Sequence, residues 1–308
     1  MAGRVTRAEA PTRCGFVALI GAPNAGKSTL LNRLVGAKIS IVTPKVQTTR
    51  ARVRGIAMAG ASQIIFVDTP GIFAPRRRLD RAMVQAAWRG VADADIVALL
   101  VDAARGLDAD VMRILEGLGQ TGRPAILALN KIDRVGRDAL LPVTGQLDAA
   151  GRFDDVFMIS ALTGDGVDTL RSHLAANLPE GPWLYPEDQL SDMPERLFAA
   201  EVTREQLFLQ LRQELPYALT VETEAWEERG DGSARIDQVV YVARKGHKGI
   251  VLGKGGSQIK SVGETARKEL ESLLDRRIHL FLHVKVRERW TQEPARYREM
   301  GLDFPGLG

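Results

Sequence analysis

The chain reads as a doubly wound, mostly parallel α/β sheet followed by a smaller α+β module, and three observations predict this. Short apolar runs of strand character alternate with helix-like segments as far as Ala176. Glycine-rich or charged motifs fall at the carboxyl ends of those runs, where an open parallel sheet places its ligand. After Leu178 to Pro194, a stretch with four prolines, the pattern changes to helix, strand, strand, helix, helix, strand. At 308 residues the chain is also long for one core, so two domains are expected. The boundaries read as a tail over 1–13, a first domain over 14–177, a linker over 178–193, a second domain over 194–290 and a tail over 291–308.

The first apolar run, Phe16 to Ile20, leads into Gly21-Ala22-Pro23-Asn24-Ala25-Gly26-Lys27-Ser28 and then a helix over Thr29 to Val35. This G-x-x-x-x-G-K-S spacing is that of a phosphate-binding loop. Glycine allows the backbone N–H groups to curl around a polyphosphate, Lys27 would reach the β- and γ-phosphates, and Ser28 would offer its hydroxyl to Mg²⁺. The helix that follows adds its positive end. Gly36 to Arg50 has little periodicity and is expected as a mobile loop, in which Thr48 and Thr49 are both candidates to add a hydroxyl to Mg²⁺ in one nucleotide state.

Two strands follow, Ala51 to Met58 and Gln63 to Val67, around the turn Ala59–Ser62. The second delivers Asp68-Thr69-Pro70-Gly71, whose acid can hold Mg²⁺ through water and whose glycine N–H can sense a γ-phosphate. Arg76-Arg77-Arg78 is expected as a solvated face. Leu79 to Val91 reads as a helix with Trp88 as a core anchor, Ile96 to Val101 as a buried strand and Asp108 to Leu118 as a helix.

Ala125 to Leu129 is a strand ending in Asn130-Lys131-Ile132-Asp133. An acid here can accept from N1–H and the 2-amino group of guanine, and adenine offers neither donor, so the loop would select GTP and GDP. Asn130 would tie this loop to the phosphate loop, with the Lys131 stem over the base. Val156 to Ile159 then leads to Ser160-Ala161, whose N–H groups are expected near guanine O6, and the helix Val167 to Ala176 closes the domain.

In the second domain, Pro194 to Glu214 is expected as a helix and Ala218 to Glu228 and Ala234 to Ala243 as strands joined through Arg229–Ser233. A helix running to about Leu274 and a third strand, Ile278 to Val286, complete it. This order, with Gly253-Lys254-Gly255-Gly256 between the last two helices, matches a KH module, whose G-x-x-G turn grips about four single-stranded nucleotides. Ile250, Val251 and Ile259 are candidate groove residues, and Lys245, Lys248, Lys254 and Lys260 form a basic patch around the turn. His247 is expected in solvent. His279 and His283 share a strand face without an acid or thiol to make a metal site. Trp290 and Arg296-Tyr297-Arg298 are expected to pack.

Composition excludes several classes. No apolar run approaches the roughly 20 residues of a membrane span, and 45% hydrophobic with 26% charged residues suits a globular chain. The net charge of +4 is too small to identify an anionic partner by itself. A single cysteine, Cys14, permits neither an internal disulfide nor a cysteine metal cluster, which fits a reducing compartment. Met1 to Arg13 carries Glu9 and no apolar core, unlike a secretory signal.

The phosphate loop, threonine loop, Asp-Thr-Pro-Gly, Asn-Lys-Ile-Asp and the KH pattern together resemble the Era family of bacterial GTPases over about Gly15 to Arg289. The resemblance implies a cytoplasmic, monomeric enzyme that hydrolyses GTP to GDP with Mg²⁺. It also implies binding to the 3′ end of small-subunit ribosomal RNA and the assembling 30S subunit, with some peripheral association at the inner membrane. By motif, nucleotide contacts fall on Gly21 to Ser28 with Thr29, on Asp68 to Ile72, and on Asn130, Lys131 and Asp133. Lys27, Thr49 and Gly71 serve catalysis, and RNA contacts lie around Gly253 to Gly256. Ile72 stands where many GTPases place a water-orienting glutamine, so slow intrinsic hydrolysis is expected. Asn24, used by related GTPases to hold K⁺, makes potassium a candidate activator. The rival reading is a GTP-controlled protein or membrane-surface adaptor whose basic patch meets anionic lipid.

Overall fold

The computed structural model describes residues 11–306. The tail expected over 1–13 therefore lies outside the described residues as far as position 10, and Arg13 already begins the first strand. Backbone proximity divides the chain into two compact units. Among the described residues, the first comprises 11–37 with 54–68 and 88–191, and the second comprises 38–53, 69–87 and 192–306.

The first unit is built on a six-stranded sheet of order β2-β3-β1-β4-β5-β6. Its strands are β1 (Arg13–Gly21), β2 (Val53–Ala59), β3 (Ser62–Asp68), β4 (Ile96–Asp102), β5 (Ala125–Asn130) and β6 (Phe153–Ile159). The pairs β1/β3, β1/β4, β4/β5 and β5/β6 are parallel. Parallel strands covered on both faces must be apolar throughout rather than alternating, and Val17–Ile20, Ile64–Phe66, Ala98–Val101 and Leu127–Leu129 are all wholly buried. The chain leaves β1 toward β3 on one side and β4 on the other, so the crevice at the end of β1 is the switch point where such sheets bind ligands.

The helices are α1 (Lys27–Val35), α2 (Arg78–Asp93), α3 (Ala109–Thr121), α4 (Arg137–Ala150) and α5 (Val167–Ala176). Asp108 caps α3, accepting from the N–H groups of Asp110 and Val111 at 3.0 and 2.9 Å. Trp88 is the expected anchor: it lies so close to Gly117 that a Cβ there would stand 2.3 Å from the indole. Helix α4 escaped sequence reading because Pro142 interrupts it and Gly145 weakens it. The proline-bearing stretch read as a linker is laid against the sheet as far as Ser191. Gln63, fully buried, accepts from Leu184 N and Tyr185 N at 2.9 and 3.0 Å, and Ser191 bridges to Gly55 of β2. This covers a sheet edge that would otherwise be open to pairing.

The second unit holds α6 (Glu195–Gln210), β7 (Leu219–Glu228), β8 (Ala234–Val242), α7 (Lys245–Leu252), α8 (Ser257–Leu274), β9 (Ile278–Val286) and α9 (Pro294–Glu299). Strands β7 and β8 are antiparallel and β8 and β9 parallel, and the order of elements is the one expected of a KH module. Its core joins Leu207, Leu219, Val240, Val251, Val262 and Val284. Trp290 and Tyr297, each 1% exposed, pack with Leu79, Met83 and Leu302, so residues 291–304, read as a tail, fold onto the unit.

Candidate nucleotide site and nucleic-acid interface

The phosphate loop follows β1 and closes on α1 through Gly26, which has φ +100°. A Cβ at Gly26 would lie 2.3 Å from Asn130 Nδ2. Glycine is thus required twice over, by the backbone angle and by the approach of the Asn130 loop. Lys27 is 6% exposed and donates from Nζ to the Gly21 and Ala22 carbonyls at 3.0 and 3.1 Å. Burial lowers its pKa to about 8, and the nearby Asp68 carboxylate offsets part of that fall. A buried cation held only by carbonyls in a loop of N–H groups is a strong attractor for a polyphosphate.

Ser28 Oγ donates to Asp68 Oδ2 at 2.7 Å. Two hard oxygen donors therefore meet beside Lys27, which suits Mg²⁺ held by few protein ligands and completed by substrate phosphates. Among the described residues, no group of three or more His, Cys, Asp or Glu could hold a metal by itself.

Asn130, 1% exposed, joins three pieces of chain. Its Nδ2 donates to Ala25 O at 2.8 Å, and its Oδ1 accepts from Lys131 N at 2.8 Å and Ala161 N at 2.9 Å. Lys131 (φ +67°) sends its ammonium to Asn24 O at 2.6 Å and Asp102 Oδ2 at 2.7 Å. Asp133 is exposed, and its Oδ1 accepts from Ser160 Oγ at 2.6 Å. The structure thus brings together Gly21 to Thr29, Asp68, Asn130, Lys131, Asp133, Ser160 and Ala161. The N–H groups of Ser160 and Ala161, read as contacts for guanine O6, already donate to Asp165 O at 2.9 Å and Asn130 Oδ1. They fix the loop, and a base contact would share them.

Thr48, Thr49 and Thr69 to Ile72 belong to the second unit. The loop read as mobile is irregular but largely buried, including Thr48, Thr49 and Arg50. Thr48 Oγ1 lies 2.6 Å from Thr43 Oγ1 and donates to Lys45 O at 2.9 Å, while its carbonyl accepts from Arg204 at 2.6 Å. Arg50 donates to Leu219 O at 2.7 Å and Pro216 O at 3.2 Å. Ile72 is fully buried and has no polar atom to offer water.

In the KH module, α7 ends and α8 begins at Gly253-Lys254-Gly255-Gly256. Gly253 has φ +72°, and a Cβ there would lie 2.8 Å from Gln258 N. Lys245, Lys248, Lys254 and Lys260 are all exposed, and Ile250 is 60% exposed. Val251 departs from the groove reading: it is fully buried in the core, because on the short helix α7 it faces the sheet while Ile250 faces out. His247 is half-buried rather than free in solvent, with Nδ1 unbonded.

Comparison with known proteins agrees with this geometry. The family described as 50S ribosome-binding GTPase matches residues 16–131, and the KH domain family matches 214–291. GTPase Era of Dinoroseobacter shibae is 63% identical, aligned over 97% of this chain and 98% of that protein. GTPase Era of Rhizobium meliloti is 61% identical over 96% of this chain and 94% of that protein. Among solved structures, an Aquifex aeolicus Era variant bound to GDP·AlF₄⁻ matches with a TM-score of 0.89 at 36% identity, covering 94% of this chain and 99% of that one. An Era complex with MgGDPNP and nucleotides 1506–1542 of 16S ribosomal RNA matches with the same score, identity and coverage.

Proposed function

The chain is a GTPase of the Era family, and from that premise we propose that it is a guanine-nucleotide switch that binds the 3′ end of small-subunit ribosomal RNA during 30S assembly. The observation that carries the nucleotide half is the hydrogen bond from Asn130 to Ala25 O. It fixes a loop able to read guanine against a loop able to hold phosphates. Asp133 would take the base, Lys27 the terminal phosphates, and the backbone N–H groups of Gly21 to Ser28 the remaining charge.

Ser28 and Asp68 would hold Mg²⁺, with Thr49 joining them. A cation held there would supply positive charge to offset the negative charge of the phosphate oxygens. Gly71 would meet the γ-phosphate through its N–H. With Ile72 apolar, catalysis rests on positioning and electrostatics and gains from a partner, from RNA or from K⁺.

The RNA half rests on the exposed lysines around the G-x-x-G turn and on the exposed Ile250. The relative solved with a 16S fragment supports the choice of ligand. Residence in the cytoplasm, with peripheral contact at the inner membrane, belongs to the same reading, and no described helix is long and apolar enough to cross a membrane. Two measurements test it. Calorimetry with GTP and Mg²⁺ should show binding, and absence of heat would end the nucleotide assignment. Replacing Lys254 and Gly255 with Asp should weaken binding of a 16S 3′-end oligonucleotide at least tenfold with GDP affinity unchanged. Intact RNA affinity in that variant would remove the KH assignment.

A further inference from the structure

The second unit contains a cavity of about 360 Å³ that no part of the preceding scheme uses. Its lining includes Gln47 and Arg50 from the threonine loop, Arg77 and Arg81 from around the start of α2, and Tyr217 and Gln292 from the C-terminal module. Arg78 and Asp80 line it as well. The volume is in the range of small-ligand sites.

Its charge is one-sided. Four guanidinium groups line it, and Asp80 is the only carboxylate that does. That carboxylate is committed: Asp80 is 7% exposed and its Oδ2 accepts from Arg76 N and Arg77 N at 3.1 and 2.9 Å. Among the described residues, Arg77, Arg78 and Arg81 make no ion pair, and Arg78 lies over the Phe304 ring at 5.0 Å. Arg50, 4% exposed, bonds only to carbonyls and lies 5.6 Å from the Phe208 ring centroid. Burial, and the like charge of Arg204, lower its pKa to about 9, with the carboxylates of Glu201 and Asp80 offsetting part of that fall.

We infer that this cavity is a second anion site, built for a phosphate ester of nucleotide size. Guanidinium forks match phosphate oxygens in pairs, and a phosphate has enough oxygens to meet more than one of the four forks at once. Tyr217 offers a ring face for a base, and Gln47 and Gln292 offer amides for its edge. A ligand held here would touch both the 38–53 and the 69–87 segments, the two stretches that carry Thr49 and Gly71, and so would bias their arrangement. The phosphate ester could be a free mononucleotide or one unit of a single-stranded RNA.

The test uses the full chain with Mg²⁺ and excess GDP, so that the guanine site is filled. AMP, which lacks the donors Asp133 would read, is titrated by calorimetry, and a labelled single-stranded RNA is titrated by anisotropy. The proteins are the parent, Arg77→Glu/Arg81→Glu and Gln292→Glu. All three positions are exposed, and Gln292→Glu leaves α2 untouched if the double variant folds poorly. AMP binding that weakens at least tenfold in the double variant and severalfold in Gln292→Glu, with RNA unaffected, identifies a free nucleotide. RNA binding that weakens tenfold and loses about two units of salt slope, without AMP binding, identifies an RNA strand. Affinities for both probes within twofold of the parent in both variants overturn the site. Failure to load GDP would count against the function proposed above and not against the cavity, because the variants are compared in the same buffer either way.

Discussion

Asn130→Asp tests the junction on which the nucleotide site depends. The substitution keeps size and shape and keeps an Oδ1 able to accept from Lys131 N and Ala161 N, the bonds of 2.8 and 2.9 Å. It replaces the Nδ2 donor with an oxygen facing Ala25 O, where a 2.8 Å hydrogen bond now stands. One bond is lost and a buried carbonyl is left facing an acceptor, a change of about 1–3 kcal/mol. If the phosphate loop must be held in place for nucleotide to bind, GDP affinity falls roughly 5- to 150-fold, at about 1.4 kcal/mol per factor of ten. Asn130→Ala removes all three bonds and should fall further. The assay is equilibrium titration with a fluorescent GDP analogue, with thermal unfolding of the nucleotide-free proteins run in parallel. GDP affinity within twofold of the parent in both variants would refute the view that Asn130 clamps one loop to the other.

Further outcomes follow from the same geometry. Asp133→Asn should exchange guanine for xanthine preference by on the order of 10³-fold, since the amide can donate where the carboxylate accepted; unchanged GTP selectivity would refute the base assignment. Trp290→Ala should destabilise the second unit by about 3–5 kcal/mol, because the indole is 1% exposed and lies under Arg50 at 5.8 Å. A loss below about 1 kcal/mol in denaturant unfolding, close to that of a surface substitution, would contradict that packing. GTP turnover should be faster in potassium than in sodium buffer if Asn24, already turned to φ +64°, helps hold K⁺, and equal rates would remove the cation.

Most of the nucleotide site was legible because its chemistry is local. Gly26, Lys27 and Ser28 lie within one turn of chain, and the strand before them announces itself by an unbroken apolar run. Asp68, Asn130 and Asp133 each stand at or just beyond a strand end that the same apolar signal locates. The fold was readable for the same reason, down to the α-β-β-α-α-β order of the second unit. Helix α4 was not, since Pro142 and Gly145 erase the period that would reveal it. Val251 was misplaced because adjacent positions on the eight-residue helix α7 differ wholly in exposure, 0% against 60% for Ile250.

The threonine loop shows why polar, aperiodic sequence is a poor guide to order. Local bonds among Thr43, Lys45 and Thr48 shape residues 38–50, but the charged anchors reach partners more than 150 positions away in the chain. Lys38 pairs with Glu205 on α6 and Glu269 on α8, and Glu205 also accepts from Val42 N at 2.7 Å. Lys45 donates to the Phe208 and Leu211 carbonyls, Arg50 to Leu219 and Pro216, and Arg204 back to Thr48. Glu205 is 3% exposed, and its desolvation is offset by Lys38 and Val42 N, so losing the loop would leave a buried acid without its partners. Several of these bonds end on carbonyls at the carboxyl end of α6 or beyond it, which an isolated helix would leave to water. The loop that carries Thr49 is therefore a structural part of the unit that carries the G-x-x-G turn, and Glu269 sits on the helix that begins at that turn. A rearrangement that moves this loop relative to α6 and α8 must give up these bonds.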